Sequence, residues 1–483
     1  MVGSIDVHAR PATPTFRIAE VYLFDTCTHR CGYCWLAESG QVLDASQLKP
    51  FRDLGFISRV AAFFNSRTAD EAKWLLQFTG GEPLLTPNLG ALCTPLLEKG
   101  NRVAFYTALL LPESHAGFRF LLEHSAPDVD YVMASFHPEA ELDEATYFHK
   151  IQRLKQRGHN VIVRYVGHPA RLSRMDHVRE RCRDLDVCFY PTTLLSDTHP
   201  NGYEPAERAS LTAQFTSLSQ HIQLAGGLQT ETLTCHAGSR LIAVNLQTGN
   251  ITPCITVDRP SLGNIFADTL DLNDGPGPCP VRGIACVCDI HFQQSTVVGV
   301  DDASAFAAQK RGYVAPAGTA TLPASIAGLS FYRGIGMGIG TVQDTTRLFF
   351  TRDEVKQRWQ NRKETRPDSL GDWSIDSALR DDGHAAIMVR LKNARPLQLV
   401  EVFLNEASDG STGNWTTLYS AEHSGTDLDL ALHAAIGSRG PGHYRVALNV
   451  RFTDGTTCYW YSQPPHFLRV VSAPAVAEPK ATV

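Results

Sequence analysis

Three cysteines, Cys27, Cys31 and Cys34, fall within eight residues in the run Phe24-Asp25-Thr26-Cys27-Thr28-His29-Arg30-Cys31-Gly32-Tyr33-Cys34-Trp35. Three thiolates at this spacing can wrap one face of an iron-sulfur cube, because such clusters are held by closely spaced cysteines. With only three, the fourth iron is open to an exchangeable ligand. The same thiols suit zinc if a fourth donor joins them, and His29 lies between them. Five more cysteines, Cys235, Cys254, Cys279, Cys286 and Cys288, lie between 235 and 288. The chain is long, and its opening residues lack the apolar core of a secretory signal. In that setting such groups point to metal or catalysis rather than to disulfides.

Fifty residues beyond the triad stands Phe78-Thr79-Gly80-Gly81-Glu82-Pro83. Two glycines let the backbone approach a ligand closely, and a nearby carboxylate complements an ammonium. Cys-x-x-x-Cys-x-x-Cys with an aromatic, Tyr33, before the last cysteine resembles the signature of the radical S-adenosylmethionine (SAM) superfamily. Gly80-Gly81-Glu82-Pro83 is similar to that family's Gly-Gly-Glu-Pro motif. The resemblance covers about residues 17–191. It implies a [4Fe-4S] cluster on Cys27, Cys31 and Cys34 whose open iron binds the amino and carboxylate groups of SAM. One electron from the cluster then cleaves SAM to methionine and a deoxyadenosyl radical. It also implies cofactor contacts from Tyr33 and from Gly80, Gly81, Glu82 and Pro83, which meet the SAM amino group. By the same resemblance Ser135 lies near the SAM ribose or carboxylate, and Arg164 pairs with the carboxylate as a charge-assisted fork. A serine or arginine at a strand end is as readily structural or solvated.

The later cysteines open with Cys235 and continue through a hairpin, Leu241–Leu246 and Asn250–Thr252, turning at Thr248-Gly249 and reaching Cys254. This spacing, followed by Leu262-Gly263-Asn264-Ile265, resembles the twitch and SPASM domains that carry auxiliary clusters in many radical SAM enzymes. The resemblance implies a second [4Fe-4S] cluster. Cys279, Cys286 and Cys288 offer three candidates for its two remaining places. The longer closing pattern of a two-cluster domain is absent, so the cysteine count favours a twitch-like domain with one cluster. Zinc on the same thiols is the alternative, since zinc also takes four of them.

Candidates for acid, base or hydrogen-atom donor at the sheet mouth are His137, Glu139, His168 and Cys188, each of which can equally shape the pocket or pack. Cys93, Cys182 and Cys458 are isolated, and isolated cysteines behave as small buried hydrophobes. The glycine-rich run Gly334–Gly340 lacks the strand-to-helix context of a phosphate loop and is expected to be a flexible or bulged strand. Trp415, Trp460 and Tyr461 can stack on a sugar or lie in a core.

The elements that would hold these groups follow from periodicity. Six β-rich runs, Ile18–Phe24, Trp74–Phe78, Arg102–Tyr106, Asp130–Ala134, Val161–Tyr165 and Asp186–Tyr190, alternate with helical spacing at Leu48–Asn65, Leu89–Glu98, Ala116–His124 and Glu144–Arg157. The expected class is α/β, a partial (β/α)6 TIM-like barrel over 17–191 after an extension, 1–16. The triad and the Gly-Gly-Glu run then end the first and second strands, where sites on such folds are built. Residues 192–312 are expected to form a connecting segment, with one helix around Pro205–Gln223, and the cluster domain. A linker follows at 313–324. Five runs from Ala385 to Ser462 suggest an antiparallel β-sandwich over 325–472, with Asp454-Gly455 a hairpin turn. Residues 473–483 are expected to be a disordered tail.

The chain of 483 residues, 43% hydrophobic and 19% charged, has an ordinary globular composition. Its net charge of −6 gives no footprint for nucleic acid, and no apolar run is long enough to span a bilayer. A cytoplasmic location is expected. The triad begins at residue 27, which leaves no room for the leader-recognition domain that peptide-modifying relatives carry before the core. The expected activity is therefore hydrogen abstraction from a small molecule or carbohydrate by an oxidoreductase-type radical SAM enzyme, with a peptide-modifying maturase as the alternative. The resemblance also implies a reductase, flavodoxin or ferredoxin as electron donor. A non-catalytic iron-sulfur or zinc protein is the reading from another class.

Overall fold

The computed structural model describes residues 16–34, 36, 41–69, 72–137, 143–196, 199–255, 261–280, 285–316, 348–356, 372–379, 384–392, 394, 396–406, 416–435, 442–453, 457–461 and 468–470. Glu139, Trp415, Gly334–Gly340 and the tail 473–483 lie outside these residues, as do most of the extension and the linker.

The first half alternates strand and helix. The strands are β1 (Arg17–Tyr22), β2 (Trp74–Thr79), β3 (Arg102–Thr107), β4 (Val129–Ser135), β5 (Val161–Val166) and β6 (Cys188–Thr192). Between them run α1 (Leu54–Ser66), α2 (Leu89–Glu98), α3 (Ala116–Glu123), α4 (Glu144–Gln156) and α5 (Met175–Asp184). Each neighbouring strand pair from β1 to β6 is parallel. Such strands are covered on both faces and read as near-continuous apolar runs. Accordingly, Trp74 to Phe78 are all buried. On one face α1 sets Phe56, Ile57, Val60, Phe63 and Phe64 into the main core with Val21 and Phe78. The helix predicted over Leu48–Asn65 begins only at Leu54, because Pro50 starts a separate short turn and Asp53 caps α1 by accepting from the Gly55 amide.

Two helices, α6 (Pro205–Thr212) and α7 (Leu218–Leu224), replace the single one expected there. Ser217 and Gln220 form a capping box that starts α7 afresh. Then come β7 (Leu228–Gln229), β8 (Thr234–Cys235), β9 (Leu241–Asn245), β10 (Asn250–Thr252), β11 (Gly263–Asn264), β12 (Thr269–Leu270), β13 (Gly277–Pro278) and β14 (Ala285–Cys286), followed by α8 (Asp289–Gln293) and α9 (Ala303–Arg311). The hairpin β9–β10 does not stand apart from the first half. β9 pairs parallel with β1, Ile18 opposite Leu241 through Tyr22 opposite Asn245. The result is a ten-stranded, mostly parallel open sheet in the order β12-β11-β10-β9-β1-β2-β3-β4-β5-β6. On its other face Phe306 of α9 packs against Leu75, Ala104, Tyr131, Met133, Ile162 and Tyr190.

The last third holds two antiparallel sheets. One is β15 (Asp372–Leu379), β16 (His384–Lys392) and β19 (Leu428–Ala435), and the other joins β17 (Leu397–Glu406), β18 (Thr416–Gly425), β20 (Gly442–Phe452), β21 (Thr457–Tyr461) and β22 (Leu468–Val470). Alternate residues Ile387, Val389 and Leu391 of the first share one apolar cluster with Val400, Val402, Leu404, Val446, Leu448 and Val450 of the second. Among the described residues no helix is long and apolar enough to cross a membrane.

Candidate metal and cofactor sites

The cysteine triad occupies the loop that leaves β1. Leu23 donates its amide to the Thr79 carbonyl at 3.0 Å, which carries the β1–β2 pairing one residue further, and the second motif then closes on the loop itself. The Gly81 amide donates to the Phe24 carbonyl at 2.6 Å and the Glu82 amide to the Thr26 carbonyl at 2.9 Å. This closure explains the glycines. A Cβ on Gly80, at φ +129°, would lie 2.5 Å from the Phe24 carbonyl oxygen, and one on Gly81 would lie 2.0 Å from that of Thr26.

The loop is held from its other side as well. Cys27 donates its amide to the Val42 carbonyl at 3.1 Å, and the Thr26 hydroxyl donates to the Asp44 carbonyl at 2.6 Å. Residues 348–350 form a short bridge against it. The Gly32 amide donates to the Leu348 carbonyl, and the Phe350 amide to the Arg30 carbonyl, each at 2.9 Å. Phe350 is fully buried with Leu36, Val42 and Val355, while Phe349 lies against the His29 ring and under the Arg30 guanidinium.

Burial pushes the Cys27 thiol well above its usual range, and the Glu82 carboxylate adds to this; the His29 amide, 3.3 Å from the sulfur, opposes it. Such a thiol gives up its proton when a metal supplies the compensating positive charge. Cys34 lies close enough to Cys27 to act on its charge, and both pack on the cluster around Leu36. The Cys31 sulfur lies 3.5 Å from His137 Nδ1, which also meets the Tyr33 hydroxyl at 2.7 Å. His29 stacks edge-on with His137 at 4.6 Å, and the donor atoms of His29, Cys31 and His137 lie within 4.8 Å of one another. Burial, and then neighbouring cations, lowers His29 to about 4 and His137 well below its ordinary value. Both imidazoles are thus neutral and able to donate a lone pair to a metal. The loop therefore offers a three-thiol set for an iron-sulfur cluster and an overlapping His-Cys-His set.

Glu82 is buried, and its carboxylate accepts from the Thr107 hydroxyl at 2.7 Å, the Ala108 amide at 2.9 Å and the Leu84 amide at 3.1 Å. Pro83 is buried and opens the short turn after it. Ser135 and Arg164 are register partners at the ends of β4 and β5. The Arg164 guanidinium pairs with Asp289 of α8 at 3.3 Å and lies 6.0 Å from the Tyr106 ring centre. Cys188 belongs to the apolar cluster around Phe306, its thiol directed at the Phe189 carbonyl. His168 is buried, caps the turn at Pro169 by accepting from the Ala170 amide, and lies 5.8 Å from the Tyr33 ring.

The five later cysteines converge on one pocket together with His291. Pairing of β8 with β13 sets Cys235 opposite Gly277, and the Cys279 thiol hydrogen-bonds Cys235 and helps to hold its thiol below the usual range. Cys254 Sγ lies 3.8 Å from His291 Nε2, and Cys286 Sγ lies 3.9 Å from His291 Nδ1. Four or five soft sulfur donors in a buried pocket suit an iron-sulfur cluster or zinc. His291 and its neighbour Glu20 on β1, 3.6 Å away, were not picked out in the sequence. A histidine three residues after Cys288, and a lone acid inside the apolar run Arg17–Tyr22, were the signals available.

No family model matches the chain, and no curated protein matches it. Among solved structures, SuiB of Streptococcus suis bound to S-adenosylmethionine is similar at 13% identity over 53% of this chain, with a TM-score of 0.36. The chain spans 64% of the length of SuiB. SuiB bound to precursor peptide SuiA is similar at 14% identity over 52% of this chain and 63% of that one, with a TM-score of 0.35. Native anSMEcpe with bound AdoMet is similar at 16% identity over 52% of this chain and 78% of that one, also with a TM-score of 0.35.

Proposed function

We propose that this chain is a radical SAM enzyme that abstracts a hydrogen atom from an organic substrate. The observation that supports this best is the joining of two motifs far apart in sequence. The Cys27-Cys31-Cys34 loop at the end of β1 is closed by the Gly80-Gly81-Glu82 backbone at the end of β2. When bound, a [4Fe-4S] cluster with SAM on its open iron supplies the electron that cleaves SAM to methionine and a deoxyadenosyl radical.

The chain's own contribution is to hold and dry this loop. Cys27, Cys31 and Cys34 would ligate the cluster, and the backbone clamps from Phe24, Thr26 and residues 348–350 fix their spacing. Tyr33, the 80–83 turn, Ser135 and Arg164 would line the SAM site. Cys235 and Cys254, with two of Cys279, Cys286 and Cys288, would supply the ligands of a second cluster, and residues 192–312 its twitch-like domain. A small molecule or carbohydrate is the favoured substrate, with a peptide as the alternative, and a reductase, flavodoxin or ferredoxin would deliver electrons. The two antiparallel sheets of the last third would form a sandwich that docks a peptide or glycan.

Anaerobic reconstitution with iron and sulfide, reduction in the presence of SAM, and detection of deoxyadenosine by mass spectrometry test the proposal. Wild type is expected to form deoxyadenosine and Cys31→Ala is not. Equal amounts from the two would refute the assignment.

A second reading, a non-catalytic protein holding a single metal ion, is favoured by the closeness of His29, Cys31 and His137. It predicts zinc without sulfide in the purified protein and loss of that zinc in His137→Ala. The cluster reading predicts that His137→Ala keeps its iron.

A further inference from the structure

We propose that Cys235, Cys254, Cys279 and Cys286 form the ligand set of the second metal group, and that Cys288 stands outside it as a positioning residue for Glu20. The inference rests on the reading of residues 235–288 as metal-bearing and settles which of three closing cysteines do the binding.

The pocket is bounded by Cys235, Cys254, Cys279, Cys286, Cys288 and His291. Two of these thiols, Cys235 and Cys279, meet each other directly through the β8–β13 pairing. Two more, Cys254 and Cys286, face the His291 imidazole from either side, one ring nitrogen each. Cys286 sits on β14, which pairs with β7 through Cys286 and Leu228. Cys286 also lies close enough to Cys254 and Cys235 to feel their charge, which brings the two pairs together. Cys288 follows two residues on, at the N-cap position of α8.

The Cys288 thiol is instead aimed at Glu20 Oε1, 3.6 Å away, while His291 Nε2 lies 3.6 Å from Glu20 Oε2. Glu20 is buried in β1, in register with Gln77 of β2, whose amide donates to the Tyr131 hydroxyl. Cys288 thus takes its contact from Glu20, and together with His291 it fixes the side chain of Glu20 where the cysteine pocket meets the sheet.

The test uses the full chain with Cys27, Cys31 and Cys34 all changed to Ala, so that only the second group is read. After anaerobic reconstitution, iron and sulfide per chain and the electron paramagnetic resonance spectrum of the reduced protein are measured. Adding Cys288→Ser is expected to leave about four irons and the same spectrum, whereas Cys279→Ser or Cys286→Ser is expected to lower iron roughly tenfold. The double variant Glu20→Gln, Cys288→Ser removes carboxylate and thiol together and is expected to retain iron as well. Loss of iron from Cys288→Ser and from the double variant, with retention in Cys279→Ser or Cys286→Ser, overturns the assignment. If the parent takes up zinc and no sulfide, the cluster reading fails, yet the same variants still decide the ligand set by their zinc. A parent that binds neither metal refutes both.

Discussion

Thr107 and Glu82 are joined across two neighbouring strand ends: the Thr107 hydroxyl donates to Glu82 Oε1 at 2.7 Å, and the next amide, Ala108, donates to Oε2 at 2.9 Å. The carboxylate ties the end of β3 to the turn that closes the triad loop. Glu82→Ala would leave buried donors unpaired, at a cost of about 1–3 kcal/mol for each such group. A lower melting temperature is expected, with a smaller loss in Glu82→Gln, which keeps one acceptor oxygen. Unchanged melting of the alanine variant would show that this tie is dispensable.

Gly81→Ala tests the closure of the loop. Its Cβ would overlap the Thr26 carbonyl oxygen, a backbone atom that cannot swing aside. The variant is expected to bind less than half the wild-type iron at the first site. Measuring iron in a background lacking Cys235, Cys254, Cys279 and Cys286 isolates that site. Full iron loading would contradict the close-packing account.

Phe350→Ala should loosen the other side of the loop. Removing a fully buried phenylalanine costs roughly 3–5 kcal/mol. The loss falls on a segment that pairs with residues 30–32, so hydrogen exchange there is expected to speed up more than tenfold. Exchange that stayed slow in residues 28–34 would mean that the 348–356 segment does not stabilise them.

His159 offers a test by pH. Burial lowers its folded-state value from 6.5, partly opposed by the Leu121 carbonyl, which its ring meets. The unfolded chain therefore binds the proton more readily. This contribution to stability is complete above about 6.5 and declines as the pH falls below that value. Denaturant melts at pH 7.5 and 5.5 are expected to show a smaller pH dependence in His159→Gln than in wild type. Parallel curves would remove His159 from the acid response.

The parallel strands were legible because their apolar runs are continuous and bounded: Trp74–Thr79 and Arg102–Thr107 each lie within a residue of the expected limits. Helix α5 was not found, since only Met175, Val178 and Cys182 are buried amid a strongly charged run. Strand β19 carries an alternating signal, Leu428, Leu430 and Leu432, that was overlooked. In the candidate sites, residue spacing singled out the cysteines. The contacts of Glu20 and of the 348–350 bridge join residues hundreds of positions apart, which no local periodicity encodes.

The pairing of β1 with β9 also has a temporal side. β1 ends at Tyr22 and its partner begins at Leu241, so one flank of β1 must wait for roughly 220 residues of further synthesis. At about 5–20 residues per second that delay lasts roughly 10–45 s. During this interval the nascent chain presents an unpaired strand edge, a template for association with other chains. The first cysteine loop emerges from that same strand, so its final enclosure belongs to a late stage of the protein's biogenesis.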